Sequence, residues 1–277
     1  MPGPTVKQRR LATKLKDARL AAGLTHAQAA AALGCKQPKL SKIENALVSV
    51  NSDDVRTLAE TYGLPSDRVE ALARLARAAK KPGWWHNYAA SLATDGEDFL
   101  EIETDAISMC SYQADVIPGL LQTHDYARTV IRAFDPEVSE EIVDRRAELR
   151  MKRQQRVLEG DLRLWAVVDT GALERAVGGA EVHRAQLEHL VEAIHIPGVT
   201  FQALPPQAGE HMALGTPFDC FTFAVGGGAV AIDHLAGTFC IEDDAMVARY
   251  TLAFEHLRAT ALSPRDSSDW VRRRLRG

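Results

Sequence analysis

The 277-residue chain has no apolar run approaching the roughly 18 residues that a membrane-spanning helix needs, which excludes a transmembrane reading. Cysteine is scarce: Cys35, Cys110, Cys220 and Cys240 form no C-x-x-C pair and no tight spacing. That argues against a zinc site or a disulfide framework and favours a reducing, cytoplasmic compartment. No apolar stretch follows the basic residues Lys7, Arg9 and Arg10, so no secretory signal is expected. Internal repeats are absent too. What remains is an ordinary soluble composition: 46% hydrophobic, 25% charged, with a mean hydropathy of −0.17. Collagen-like and wholly disordered chains are thereby excluded, and the length suits about two domains.

The net charge of −4 conceals an asymmetry. Residues 1–43 carry nine Lys or Arg against one acid, Asp17, for a local charge of +8. The remaining chain therefore carries −12. A basic head on an acidic body suggests that the head meets a polyanion.

Helix punctuation divides the first eighty residues into five short helices. Leu11, Leu15, Ala18 and Ala22 keep a helical period that Gly23 ends. Thr25 caps a second helix running to about Leu33, and Gly34 closes it. A third runs from about Lys36 to Asn45 with Pro38 in its first turn, where a missing N–H costs little. Ser52 or Asp53 is expected to cap a fourth, ending at Gly63, and Pro65 opens a fifth. Lys80-Lys81-Pro82-Gly83 reads as the linker. Beyond it the texture is α+β. Helices are expected over 84–93, 96–109, 123–134, 139–158, 181–194 and 243–261, and after Ser263-Pro264. Strands are expected over 110–116, 162–168, 199–204, 218–224, 230–233 and 238–241, with Gly226-Gly227-Gly228 as a hairpin loop.

Gly23-Leu24-Thr25, Ala29-Ala30, Leu33-Gly34 and Leu40-Ser41-Lys42-Ile43-Glu44 fall at helix-turn-helix spacing. Small Ala29 and Ala30 let two helices cross closely, and Gly34 permits the turn between them. Leu24, Leu33, Leu40 and Ile43 close the back of the pair. Over about residues 7–78 the string resembles the XRE (Cro/repressor-like) helix-turn-helix family. His26 stands where Gln is usual, Ala29 where Leu is usual, and Asn45-Ala46 where the family ends on Gly. The resemblance implies double-stranded DNA as partner, with the third helix in the major groove. By position, Gln37 and Lys42 reach base edges, since Gln reads adenine and Lys guanine. Lys39 and Ser41 reach a base or a phosphate, and Pro38 can meet a thymine methyl. His26 and Lys36 are expected on phosphates, which position without specifying. Glu44 is expected to bond within the domain. The geometry of DNA further implies a homodimer, with recognition helices about 34 Å apart.

The C-terminal region also resembles a known family. Val116-Ile117-Pro118-Gly119-Leu120-Leu121-Gln122-Thr123-His124-Asp125-Tyr126-Ala127 is similar to the P-G-L-L-Q-T-x-x-Y-A signature of a domain of unknown function found behind XRE domains in actinobacterial regulators. Arg145-Arg146, Arg153-Gln154-Gln155, Gln186-Leu187 and Ala208-Gly209 with His211 continue the match in order. WhiJ-like, toxin–antitoxin-like regulators carry this pairing. The resemblance implies a small BldB-like or DUF397-type protein, or a small-molecule effector, as partner of this domain.

No catalytic constellation accompanies these motifs. Gly226-Gly227-Gly228 lacks the Lys-Ser/Thr of a phosphate loop. Glu188-His189, Glu192 and His195 do not form H-E-x-x-H, and His211 has no nucleophile motif beside it. The expectation is therefore a non-enzymatic regulator needing no cofactor or metal. It has an all-α five-helix helix-turn-helix domain over residues 1–80 and an α+β sensor or partner-binding domain over residues 84–277. The alternative is an antitoxin-like interaction module that sequesters a small protein, with DNA binding as autoregulation.

Overall fold

In the computed structural model the described residues are 4–80, 83–92, 96–224, 227–235 and 237–276. Chain contacts divide it into two units, Met1–His86 and Asn87–Gly277. Lys81, Pro82, Ala93 and Gly226, which the sequence assigns to the linker, a helix end and the hairpin loop, lie outside the described residues.

The first unit holds five helices: α1 (Val6–Ala21), α2 (His26–Ala32), α3 (Gln37–Glu44), α4 (Ser52–Thr61) and α5 (Ser66–Ala78). Thr5 and Thr25 each close a capping box, with Gln8 and Gln28 respectively, satisfying N–H groups that the first turn leaves over. Pro38 lies in the first turn of α3 as expected. The cap of α4 is Asn51 rather than Ser52 or Asp53, because the Asn51 carboxamide oxygen accepts from both Asp53 N and Asp54 N. Gly34 takes φ +62° at the turn between α2 and α3. The left-handed residue after α3 is Ala46, at φ +55°, not Asn45. Asn45 keeps a negative φ and donates its side-chain amide to the Ser41 carbonyl at 2.7 Å. Leu11, Leu15, Leu40, Ile43, Val55, Leu58 and Leu72 form the core, with Leu24 and Leu33 partly buried against it.

The second unit is built on a six-stranded mixed sheet. After a 3₁₀ turn over Trp84–Ser91, helix α6 (Gly96–Asp105) runs directly into β1 (Ala106–Gln113). The helix is shorter, and the strand earlier, than the sequence predicts. Backbone pairing to two neighbouring strands, which a local pattern cannot reveal, sets that boundary. Next come α7 (His124–Phe134), α8 (Glu140–Leu158), β2 (Arg163–Asp169), α9 (Thr170–Glu174), α10 (Gly179–Ala193) and β3 (Val199–Leu204). Strands β4 (Phe218–Phe223), β5 (Gly228–His234) and β6 (Gly237–Ile241) precede α11 (Asp244–Thr260) and α12 (Pro264–Arg276). Helix α9 is an addition to the sequence reading; Asp169 caps it by accepting from Gly171 N at 2.7 Å.

The strand order is β3-β2-β1-β4-β5-β6. β1, β2 and β3 run parallel through helical crossovers, and β4, β5 and β6 add an antiparallel meander to the other edge of β1. The β3 edge is covered: Ala203 N donates to the Ser267 hydroxyl, and Leu262 N donates to the Ala203 carbonyl. Tyr112, Phe218, Cys220 and Val230 pack with Phe254 and Leu257 of α11 into one core. Among the described residues no helix is long and apolar enough to cross a membrane.

Candidate nucleic-acid interface

Helix α3 divides its residues cleanly. Leu40, Ile43 and Glu44 are buried, while Lys36, Gln37, Pro38, Lys39 and Lys42 are exposed and Ser41 is half-buried. Lys36 is the N-cap residue but makes no side-chain cap, which leaves its ammonium on the surface. Lys39 stands 3.9 Å from Asp54 of α4, a weak exposed pair. Five of the seven DNA-contact residues read from the sequence thus form one exposed, largely cationic surface at the start and along one side of α3.

The back of α3 is fixed by charge. Glu44 accepts from Arg19 Nε at 2.8 Å and from Arg19 Nη2 at 3.0 Å. Both side chains are almost wholly buried, and Arg19 also donates to the Leu24 carbonyl at 2.7 Å. The bond to Glu44 is the chief influence raising the Arg19 pKa above its ordinary value. Tyr62 lies near this pair; burial, with the Glu44 charge adding, pushes its phenol up to about 12. His26, read from the sequence as a phosphate ligand, has its Nε2 3.0 Å from Glu44 Oε2 and is about one-third exposed. It thus joins the first helix of the motif to the second, so its position serves the frame of the motif as well as its surface.

The cationic surface is smaller than the charge count suggests. Lys7, Arg10 and Arg19 are buried, and Lys7 lies over the Trp85 ring, 5.8 Å from its centre. Trp85 in turn packs where Gly83 has no side chain: a Cβ there would come 2.2 Å from the ring. Cys35 is half-buried against the core.

The second unit gathers the signature residues into a clamp. Pro118 begins a 3₁₀ turn over Gly119–Leu121. Gln122 donates to the Ile117 carbonyl at 2.6 Å and accepts from Arg150 Nη1 at 2.6 Å. Gln154 donates to the carbonyls of Gly119 and Gln122. Gln186 accepts from Thr123 N and donates to the Leu121 carbonyl, both at 2.7 Å. The Tyr126 hydroxyl accepts from Ile117 N. Each glutamine therefore satisfies backbone groups that this turn would otherwise bury unpaired. The separated matches around 118–126, 150–154 and 186 are parts of one structural contact.

The other polar candidates have structural partners. Arg153 grips Glu103 through two bonds of 2.8 and 2.6 Å, and Arg156 donates to the carbonyls of Glu103 and Ala106. His211 packs edge-on to Tyr112, with ring centres 5.5 Å apart. His195 meets Arg272 at 3.2 Å, and Glu188 pairs with Arg184. Asp243 caps α11. Among the described residues no group of three or more His, Cys, Asp or Glu is placed to hold a metal.

Residues 10–72 match a family model described as Helix-turn-helix domain, which supports a DNA-binding regulator. No curated protein and no solved structure matches the chain. Residues 97–273 match the model described as Domain of unknown function (DUF5753), which spans more than half of the length, and the chain belongs to that family.

Proposed function

We propose that the chain is a sequence-specific, XRE-like transcriptional regulator that acts by binding rather than by catalysis, in the cytoplasm where its DNA lies. The observation that carries this reading is α3 itself. Its exposed side offers Lys36, Gln37, Lys39 and Lys42, while the Arg19–Glu44 pair holds its back rigid. A preorganised recognition helix loses little freedom on entering a groove. Gln37 and Lys42 read base edges; Lys36, Lys39 and Ser41 supply salt-sensitive phosphate affinity. A homodimer would match an inverted-repeat operator.

The C-terminal unit then tunes DNA binding by occupancy, through a small protein or an effector. A protein partner, and with it the antitoxin-like reading, is favoured by two exposed apolar side chains at the β5–β6 hairpin, Leu235 at 91% and Phe239 at 61%. The test is a DNA pull-down with sequencing, run on the whole chain and on Gln37→Ala/Lys42→Ala. A short inverted repeat should be enriched and then lost in the double variant, at a cost of about 1–3 kcal/mol per base contact. Enrichment without sequence preference would sink the reading.

A further inference from the structure

Helix α11 uses two different surfaces against the sheet. Its C-terminal half buries Ala253, Phe254 and Leu257, as a helix on a sheet should. A neighbouring face of the same helix carries Asp244, Ala248, Thr251 and Glu255, spaced four, three and four residues apart. These four line a cavity of about 260 Å³, yet all are exposed, so solvent enters between helix and sheet. The volume is just under the ~300–1,000 Å³ usual for small-molecule sites and is well above what one water needs.

The walls differ in character. On the sheet side the floor includes Cys110 and Cys220, directly opposite each other on β1 and β4. Burial pushes the Cys110 thiol up to about 11 and raises Cys220 further, so both stay neutral and form an apolar floor. The helix side supplies two carboxylates. Glu255 is paired with Arg258, whose guanidinium lies 4.7 Å from the Trp165 ring centre. The Asp244 side chain has no hydrogen bond or ion pair among the described residues. The free charge at the cavity is therefore negative.

We infer that the cavity between α11 and the sheet binds a small organic cation, its apolar body on Cys110 and Cys220 and its ammonium group at Asp244. The inference gives the effector reading of this unit a site and a ligand class, and rests on that reading.

The experiment uses the full-length chain, benzylamine as probe, and benzyl alcohol and benzoate as neutral and anionic counterparts, in ligand-observed NMR titrations. Benzylamine should bind up to about fivefold more tightly than benzyl alcohol, as one exposed ion pair of up to ~1 kcal/mol implies, and benzoate should bind more weakly than either. Asp244→Asn should remove the preference for the amine, and Ala248→Trp should abolish binding of all three. No binding of benzylamine, equal binding of amine and alcohol, or binding that survives Ala248→Trp would overturn the inference. The pull-down of the unmodified chain is read separately: its failure sinks the DNA reading and leaves the cavity result standing.

Discussion

Helices α3 and α8 both look basic in the sequence, but they spend their cations in opposite ways. On α3 and at its cap, Lys36, Lys39 and Lys42 face solvent. On α8, Arg146, Arg150, Arg153 and Arg156 turn inward: to the Ser91 carbonyl and Asp135, to Gln122, to Glu103, and to the carbonyls of Glu103 and Ala106. Lysine is a flexible, strongly hydrated point charge suited to the surface. Arginine's planar fork can satisfy several buried acceptors at once. A run of positive charge thus marks a binding surface only where its partners are missing from the fold, and α8 has its partners.

The sharpest way to break that comparison is to remove one cation from each helix. Arg153→Ala leaves Glu103 buried without its counter-charge and should cost about 3–5 kcal/mol in urea denaturation of the second unit. Lys39→Ala should cost less than about 1 kcal/mol, because its pair with Asp54 is exposed. Similar losses in the two variants would refute the division.

A smaller effect separates the buried charges of the second unit from one another. Asp219 on β4 lies beside Ser111 and 3.4 Å from the Gln113 amide. Burial, with Asp233 and Glu103 adding and Ser111 and Arg153 opposing, pushes its carboxyl from 3.8 to about 7. The folded chain therefore holds a proton that the unfolded chain has lost. Its contribution to stability is fully present below about pH 4 and is lost as pH rises through about 7. Asp219→Asn, which keeps the neutral shape, should flatten that decline. Above pH 8 the variant should be the more stable by a few kcal/mol, at roughly 1.4 kcal/mol per pKa unit. Denaturation curves at pH 5 and pH 8 check this; an equal decline in both proteins would show that Asp219 is already ionised.

The smallest effect lies in the first unit. Ala46 holds φ +55°, a conformation in which an L side chain crowds its own carbonyl. Ala46→Gly should stabilise this unit by about 1 kcal/mol, read as a raised melting temperature, with DNA affinity unchanged. A fall in stability would show that Ala46 gains more from its methyl contacts than it loses to strain.

Much of the molecule was legible as sequence because local rules act within a few residues. Thr25 caps α2, Gly34 turns the chain and Pro38 opens α3 for reasons that need no distant partner. The same holds for Thr123, Ser139 and Asp243 as caps of α7, α8 and α11. The P-G-L-L-Q-T string and its companions mark the second unit in the sequence alone. The start of β1 was not legible, since nothing local separates Asp105 from Ala106 and a short apolar run suits helix and strand alike.

The sequence by itself determined two units, the helix-turn-helix spacing and the exposed polar residues of α3, because capping, glycine turns and hydrophobic period are local. Only the tertiary structure decided which charges are free. It gave Arg19 and His26 to Glu44, turned the arginines of α8 inward, and left Asp244 unpaired beside a cavity. Charge pairing acts between residues tens of positions apart, and no local pattern records it.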